Sequence, residues 1–497
     1  MSNADTWETV KSELREVSLL YGAQASLAWD QQCYMPPGAA ALRGEQMALL
    51  SRLVHERLTS PKLGRALEDL DGHVDDATTQ RAVELLRKDY DRTVKLPADL
   101  VERRARAGAT GFDAWIRAKE ASDFAIFAPH LQEHLDLAKE TAAAIDPEGH
   151  PLQVLMDGFD PGVSIEALRT AFSRLQTGLS ELIEAAGDAE DRTLGGTWPT
   201  DGQLAMHRKV AERLGYDFDT GRMDLAEHPF TISLGHQDVR ITTHVYDDDL
   251  LGGLGGTVHE TGHALYEQGL PRALFGTGLD QAASFGLHES QSRFWENAIG
   301  RSRPFFEWMK PLLDSTFPGH PATVDSLYRA ANRIQPGPNR VKADEVTYNL
   351  HIIVRVELEL ALFEGRLEVA DLPDAWNEKY TKYLGITPPD DAEGVLQDVH
   401  WSGGSFAYFQ SYTLGNLYAA AFHAVLREQM PDLDARVAKG DFAPILGWLR
   451  ENVHQHGRSL DGTDRVKAVV GQRDYVEDLL AYLWGRHGAL YGLTRPR

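Results

Sequence analysis

The chain has 497 residues, 42% of them hydrophobic, which is enough for a large core and excludes a small stapled scaffold. With 50 Lys+Arg against 74 Asp+Glu its formal charge is −24, so nucleic-acid backbones and anionic membrane surfaces would repel it, and no local basic patch offsets this. The charged opening "MSNADTWETVKSELREVSLLYG" has no apolar core of a secretory signal, and no apolar run reaches the ~18 residues of a membrane span, so a soluble, non-exported protein is expected.

Cys33 is the single cysteine and cannot close an intrachain disulfide; it fits a reducing compartment and reads as an inert packed thiol. Apolar residues then recur at three- and four-residue spacing in "TTQRAVELLRKDYDRTV" (78–94) and "SIEALRTAFSRLQTGLSELIEAA" (164–186), and again in "ADEVTYNLHIIVRVELELALFEG" (343–365), so the fold class is mainly α. The exception is "FTISLGHQDVRITTHVY" (230–246), where two β-branched runs flank "GHQD" and predict a hairpin. In its second strand Val239, Ile241, Thr243 and Val245 alternate with Arg240, Thr242, His244 and Tyr246, which offers a peptide-binding edge. Turn clusters such as "QPGPNR" and "GITPPDDAEG" are too short to be linkers, and no repeat appears, so residues 1–497 read as one unit with, at most, two lobes.

Next comes "TVHETGHALYEQG" (257–269). In a helix His259 and His263 are one turn apart on one face, where two imidazoles can meet one tetrahedral Zn²⁺. Glu260 stands beside them, placed to take a proton from a water whose pKa the metal lowers to roughly 7. Chance would produce this spacing roughly once in ten chains of this composition. A competing reading is a capping box, Thr257 with Glu260, in which the carboxylate would serve the backbone. Two histidines leave a metal short of ligands, and "GLHESQSRFWENAIG" (286–300) offers His288, Glu289 or Glu296; helical pattern does not choose among them. Further on, Arg340 could grip a substrate carboxylate bidentately. In "QDVHWSGGSFAYFQSYTLGN" (397–416), His400 with Tyr408 or Tyr412 could donate to a developing oxyanion.

Six segments in order, "WDQQCYMPPGAAALRGEQ", "DVRITT", "HETGHALYEQGLP", "HESQSRFWEN", "RVKADEVTYNLHI" and "GVLQDVHWSGGSFAYFQSYTLGN", resemble the carboxypeptidase Taq family of zinc metallocarboxypeptidases. The resemblance covers most of the chain. It implies a mainly helical clamshell of two lobes around a deep cleft, similar to neurolysin and angiotensin-converting enzyme, with a small β hairpin near the metal. It implies Zn²⁺, with Co²⁺ or Mn²⁺ as substitutes, on His259, His263 and Glu289, with Glu260 as general base. Arg340 is implied to hold the substrate's terminal carboxylate, His400 and Tyr412 to stabilise the tetrahedral intermediate, and Arg240 to support substrate or strand. The family also implies a cytoplasmic homodimer acting on peptides with a free C-terminal carboxylate. Asn339 and His244 depart from the residues common in the family. Two rival readings are an oligopeptidase cutting internally on the same scaffold and a peptide-binding module without turnover.

Overall fold

The computed structural model describes residues 2–187 and 194–496. Helices dominate, and two of the predicted ones end where their signals place them. Ala77–Val94 starts at Asp76, whose carboxylate accepts the Thr79 N–H at 2.8 Å, and Ile165–Ala186 starts at Ser164, whose hydroxyl accepts the Ala167 N–H at 3.1 Å. The third begins at Tyr348, five residues later than its periodicity predicts. Asp344 is the reason: its carboxylate takes the N–H groups of Val346 and Thr347, holding the preceding chain in a turn. From Tyr348 to Phe363 this helix is buried on nearly every side, with Leu350, Ile352, Ile353, Val354 and Leu358 fully enclosed. Among the described residues no helix is long and apolar enough to cross a membrane.

The hairpin forms as β2 (Thr231–Gly235) and β3 (Asp238–Thr243), antiparallel, with Thr231 opposite Ile241. A third strand, β1 (Gly221–Leu225), pairs in parallel with β3, giving the order β1-β3-β2. This corrects the sequence reading in two ways. The second hairpin strand is central, so the edge passes to β2. It also stops at Thr243, because Thr243 lies opposite the last residue of β1, while Asp247 and Tyr246 turn aside to bond Trp198 and Gln203. Val239 and Ile241 are fully buried, and Thr242 on the polar side is buried as well, its hydroxyl accepting the Phe230 N–H at 2.9 Å.

One apolar cluster runs from Ala114 to Trp484, and a smaller one joins the first helix, Asn3–Cys33, to helices Pro61–Leu70 and Ala77–Val94. Cys33 is half-buried at the end of that first helix, its thiol pKa pushed up by burial and then by Asp224, which disfavours the thiolate.

Candidate active site

A cleft of about 1870 Å³ brings together residues from widely separated parts of the chain. Along it lies the helix Leu250–Gly269, capped by Asp249, which accepts the Gly252 N–H at 2.9 Å. The helix therefore starts seven residues before Thr257, and the capping box of the competing reading does not form. Thr257 is buried in mid-helix, its hydroxyl 2.7 Å from that of Thr243 and 2.9 Å from His207 Nδ1. Glu260 is thus free of backbone duty and lines the cleft. Its Oε2 accepts the β2 edge hydroxyl of Thr231 at 2.8 Å. Burial raises its pKa above the usual carboxylate range, against the pull of His259 and of the Thr231 bond.

The next helix, Phe285–Arg293, packs against this one unusually closely. A Cβ at Gly262 would stand 2.7 Å from the Gln291 carbonyl oxygen, and one at Gly415, on helix Gln410–Gln429, 2.4 Å from Glu289 Cγ. These two glycines let Glu289 be pressed between neighbours and delivered to the histidines. Its Oε2 lies 3.4 Å from His263 Nε2 and 3.8 Å from His259 Nε2. The ligand atoms of these three side chains all fall within 4.8 Å of one another. Two imidazole nitrogens and one carboxylate oxygen facing open space suit a catalytic Zn²⁺-type cation, which takes three protein ligands and leaves a position free.

The surroundings orient the donors and set the charge of two of them. Glu296, on the π-helical turn Phe294–Gly300, accepts from His259 Nδ1 at 2.9 Å and so turns Nε2 toward His263 and Glu289, while, against the effect of burial, the carboxylates beside that ring raise its pKa. Burial, then His288 beside it, lowers His263 to about 3, keeping that imidazole neutral. Burial alone would raise Glu289, but Arg293 and His259 outweigh it and hold the carboxyl far below its usual range. His288, the third candidate, turns away: its Nε2 pairs with Glu267 at 2.9 Å while its ring stacks on His263.

The facing wall carries Arg340, Tyr348, Tyr408 and Tyr412. Arg340 donates from Nε and Nη2 to Asp398 Oδ1 at 2.9 and 2.7 Å and from Nη1 to the Tyr348 hydroxyl at 3.2 Å. Arg355, fully buried, donates to the other Asp398 oxygen at 2.6 Å. Burial opposes ionisation of Asp398, but these two guanidiniums outweigh it and hold the carboxyl far below its usual range. The Arg340 guanidinium also lies 5.1 Å over the Tyr412 ring. Asn339 caps the turn Arg340–Lys342 by accepting the Val341 N–H, and His244 pairs through Nδ1 with the Ala226 carbonyl while lining the cleft.

Two expected site residues stand elsewhere. His400 does not line the cleft; it lies behind Tyr412, with Nε2 3.2 Å from the Tyr412 hydroxyl, and burial lowers its pKa to about 4. Arg240 also lies off the cleft, paired in a fork with Asp238 at 2.7 and 2.8 Å, its guanidinium 4.3 Å above Trp29. Sequence reasoning missed Asp398, Arg355, Tyr348, Arg293 and Thr231 as members of the site. Asp398 sits inside the "QDVHW" segment beside His400, so proximity to a chosen residue was the available signal.

Fold and cleft together define a helical metal-dependent hydrolase of the HExxH class. The model of the carboxypeptidase Taq (M32) metallopeptidases matches residues 9–487, and the chain belongs to this family. Thermostable carboxypeptidase 1 of Thermus thermophilus is 40% identical over 496 residues, covering 96% of this chain and 97% of the relative. Carboxypeptidase 1 of Bacillus subtilis is 38% identical over 486 residues, with the same two coverages of 96% and 97%. The crystal structure of an M32 carboxypeptidase from Deinococcus radiodurans R1 superimposes with a TM-score of 0.96 at 39% identity, covering 98% of this chain and 100% of that one. The chain is therefore a metallocarboxypeptidase, a reading favoured over internal cleavage and over peptide capture without turnover.

Proposed function

We propose that this metallocarboxypeptidase uses Zn²⁺, replaceable by Co²⁺ or Mn²⁺, held by His259, His263 and Glu289, to release single amino acids from peptides with a free C-terminal carboxylate. The observation that carries this reading is the convergence of the three donor atoms within 4.8 Å on a cleft that Arg340 also lines. A cation bound there supplies a Lewis acid that acidifies a water and polarises the scissile carbonyl. Glu260 takes the proton, and its buried, raised pKa suits a carboxylate that must hold it before passing it to the departing amine. Tyr412 donates its hydroxyl to the oxyanion; burial, with Tyr408 next, raises its pKa well above the ordinary value, so it stays a protonated donor. His400, neutral behind it, orients that hydroxyl. Arg340, its fork preset by Asp398 and Tyr348, takes the terminal carboxylate, and Arg240 supports the strand. The same reading includes a cytoplasmic homodimer, checked by sedimentation equilibrium. In it residues 1–497 form one unit whose two lobes flank the cleft, checked by a single unfolding transition.

The test is one peptide offered as free acid and as C-terminal amide, with metal or chelator, its products followed by mass spectrometry. A metal-dependent ladder of single-residue losses from the free acid alone is expected. Arg340→Ala should slow free-acid cleavage about 10²- to 10³-fold, as for a lost charge pair, with metal content unchanged. Free-acid cleavage at the wild-type rate in that variant would remove its role.

A further inference from the structure

Arg293 belongs neither to the three donors nor to the carboxylate-binding wall, yet it stands between them. Its Nε donates to Glu289 Oε1 at 2.7 Å and its Nη1 to Glu296 Oε2 at 3.2 Å, and its guanidinium lies 4.3 Å over the Tyr348 ring. Glu296 is itself held from the far side by Arg301 at 2.8 Å. The two oxygens of Glu289 consequently have different surroundings. Oε1 is taken by a charge-assisted bond made across one helical turn. Oε2 faces His263 and His259, with only a 3.2 Å contact to Ser292, whose shorter bond of 2.7 Å goes to the Glu289 carbonyl. A carboxylate with both oxygens free can chelate a cation through both, as carboxylates do in oxygen-rich sites. With one oxygen taken by a guanidinium it has one to give.

We propose that Arg293 is a positioning residue that restricts Glu289 to one-oxygen presentation, keeping a side of the metal site open to water and substrate. The proposal rests on the reading of Glu289 as a ligand. The same guanidinium bonds Glu296, the partner of His259 Nδ1, so one side chain sets the orientation of two ligands. Lysine could replace the charge but not the fork, because an ammonium is a point charge without the planar pair of donors that spans two carboxylates.

The experiment loads the full-length protein, Arg293→Lys, Arg293→Gln and Glu289→Gln with Co²⁺ and records metal stoichiometry and the visible d–d absorption, whose intensity falls as ligand number rises. Both Arg293 variants should bind one Co²⁺ and absorb about half as strongly as wild type or less, as the freed oxygen adds a ligand to a four-coordinate site. A wild-type spectrum in both overturns the proposal. Recovery in Arg293→Lys alone also overturns it, since charge and not the fork would then suffice. If Arg293→Gln fails to fold with its carboxylates uncompensated, Arg293→Lys decides. Glu289→Gln should lose tight binding; if it keeps full Co²⁺ affinity, the ligand reading itself fails, whatever the Arg293 variants show.

Discussion

On the metal side of the cleft, His259, Glu260, His263 and Glu289 come from two consecutive helices, and every spacing that matters is within a turn or across one tight helix contact. On the opposite wall, Arg340 sits in a short turn and Asp398 and Tyr408 in irregular chain, while Tyr348 and Tyr412 stand in the first turns of two regular helices. The wall is made rigid by burial and charge. Asp398 bonds two guanidiniums, one at each carboxylate oxygen, and Glu359 pins the loop behind Tyr412 by accepting the Trp401 indole N–H at 2.7 Å and the Ala407 N–H at 3.0 Å. Ala407 needs that anchor, because its φ of 60° is one that L residues rarely adopt. The lesson is that regular helices suffice to aim the three donor atoms, whereas the opposite wall joins helix starts to irregular segments and is held together by enclosed polar and charged bonds.

The sharpest break in the metal side is Glu260→Gln. It removes the proton acceptor while leaving all three donor atoms, so metal content should stay at wild type while kcat falls by about 10³-fold or more. Near-normal turnover would sink the base assignment. On the wall the corresponding break is Glu359→Gln, read by stability. Burial raises the Glu359 carboxyl to about 7 against a reference of 4.5. Between those two values the folded state holds more protons than the unfolded one, so raising the pH through that window costs stability, and above it the cost is constant. The difference amounts to about 3 kcal/mol. The stability of Glu359→Gln relative to wild type should therefore improve from pH 4.5 to 7 and level off above. A gap that is flat with pH would show that the carboxyl is not held protonated by the fold.

This contrast also explains what was legible. The helices 78–94 and 164–186, the hairpin, and the donor set on His259 and His263 follow from local periodicity and spacing, which one sequence displays directly. Choosing Glu289 over Glu296 and His288 did not follow from periodicity. It depends on Gly262 and Gly415 admitting the ligand helix, a contact between segments far apart in the chain. Asp398 could not be found by spacing, since it stands 58 residues from Arg340 and 43 from Arg355. The Thr257 capping box failed for a related reason. The glycines before it look like a helix boundary, but Asp249 starts the helix earlier and the tertiary contacts of that helix carry the glycines inside it.

Arg240 and Arg340 show how little residue type decides by itself. Both pair with a carboxylate through two donor nitrogens and both lie over an aromatic ring. Arg340 is buried on the cleft wall, whereas Arg240 is partly exposed on the far side of the sheet, bonded to Asp238 two residues away on its own strand. A pair so close in sequence and so near solvent adds little, and the stacking on Trp29 supplies most of its worth, about 0.5–1 kcal/mol. Arg240→Ala should therefore lower stability by about that amount, read from the denaturation midpoint, with kcat and KM within about twofold of wild type, as for a variant that loosens β3 from the first helix without reaching the cleft. A KM raised about tenfold at unchanged stability would instead move Arg240 into substrate binding and erase the division between strand support and substrate wall.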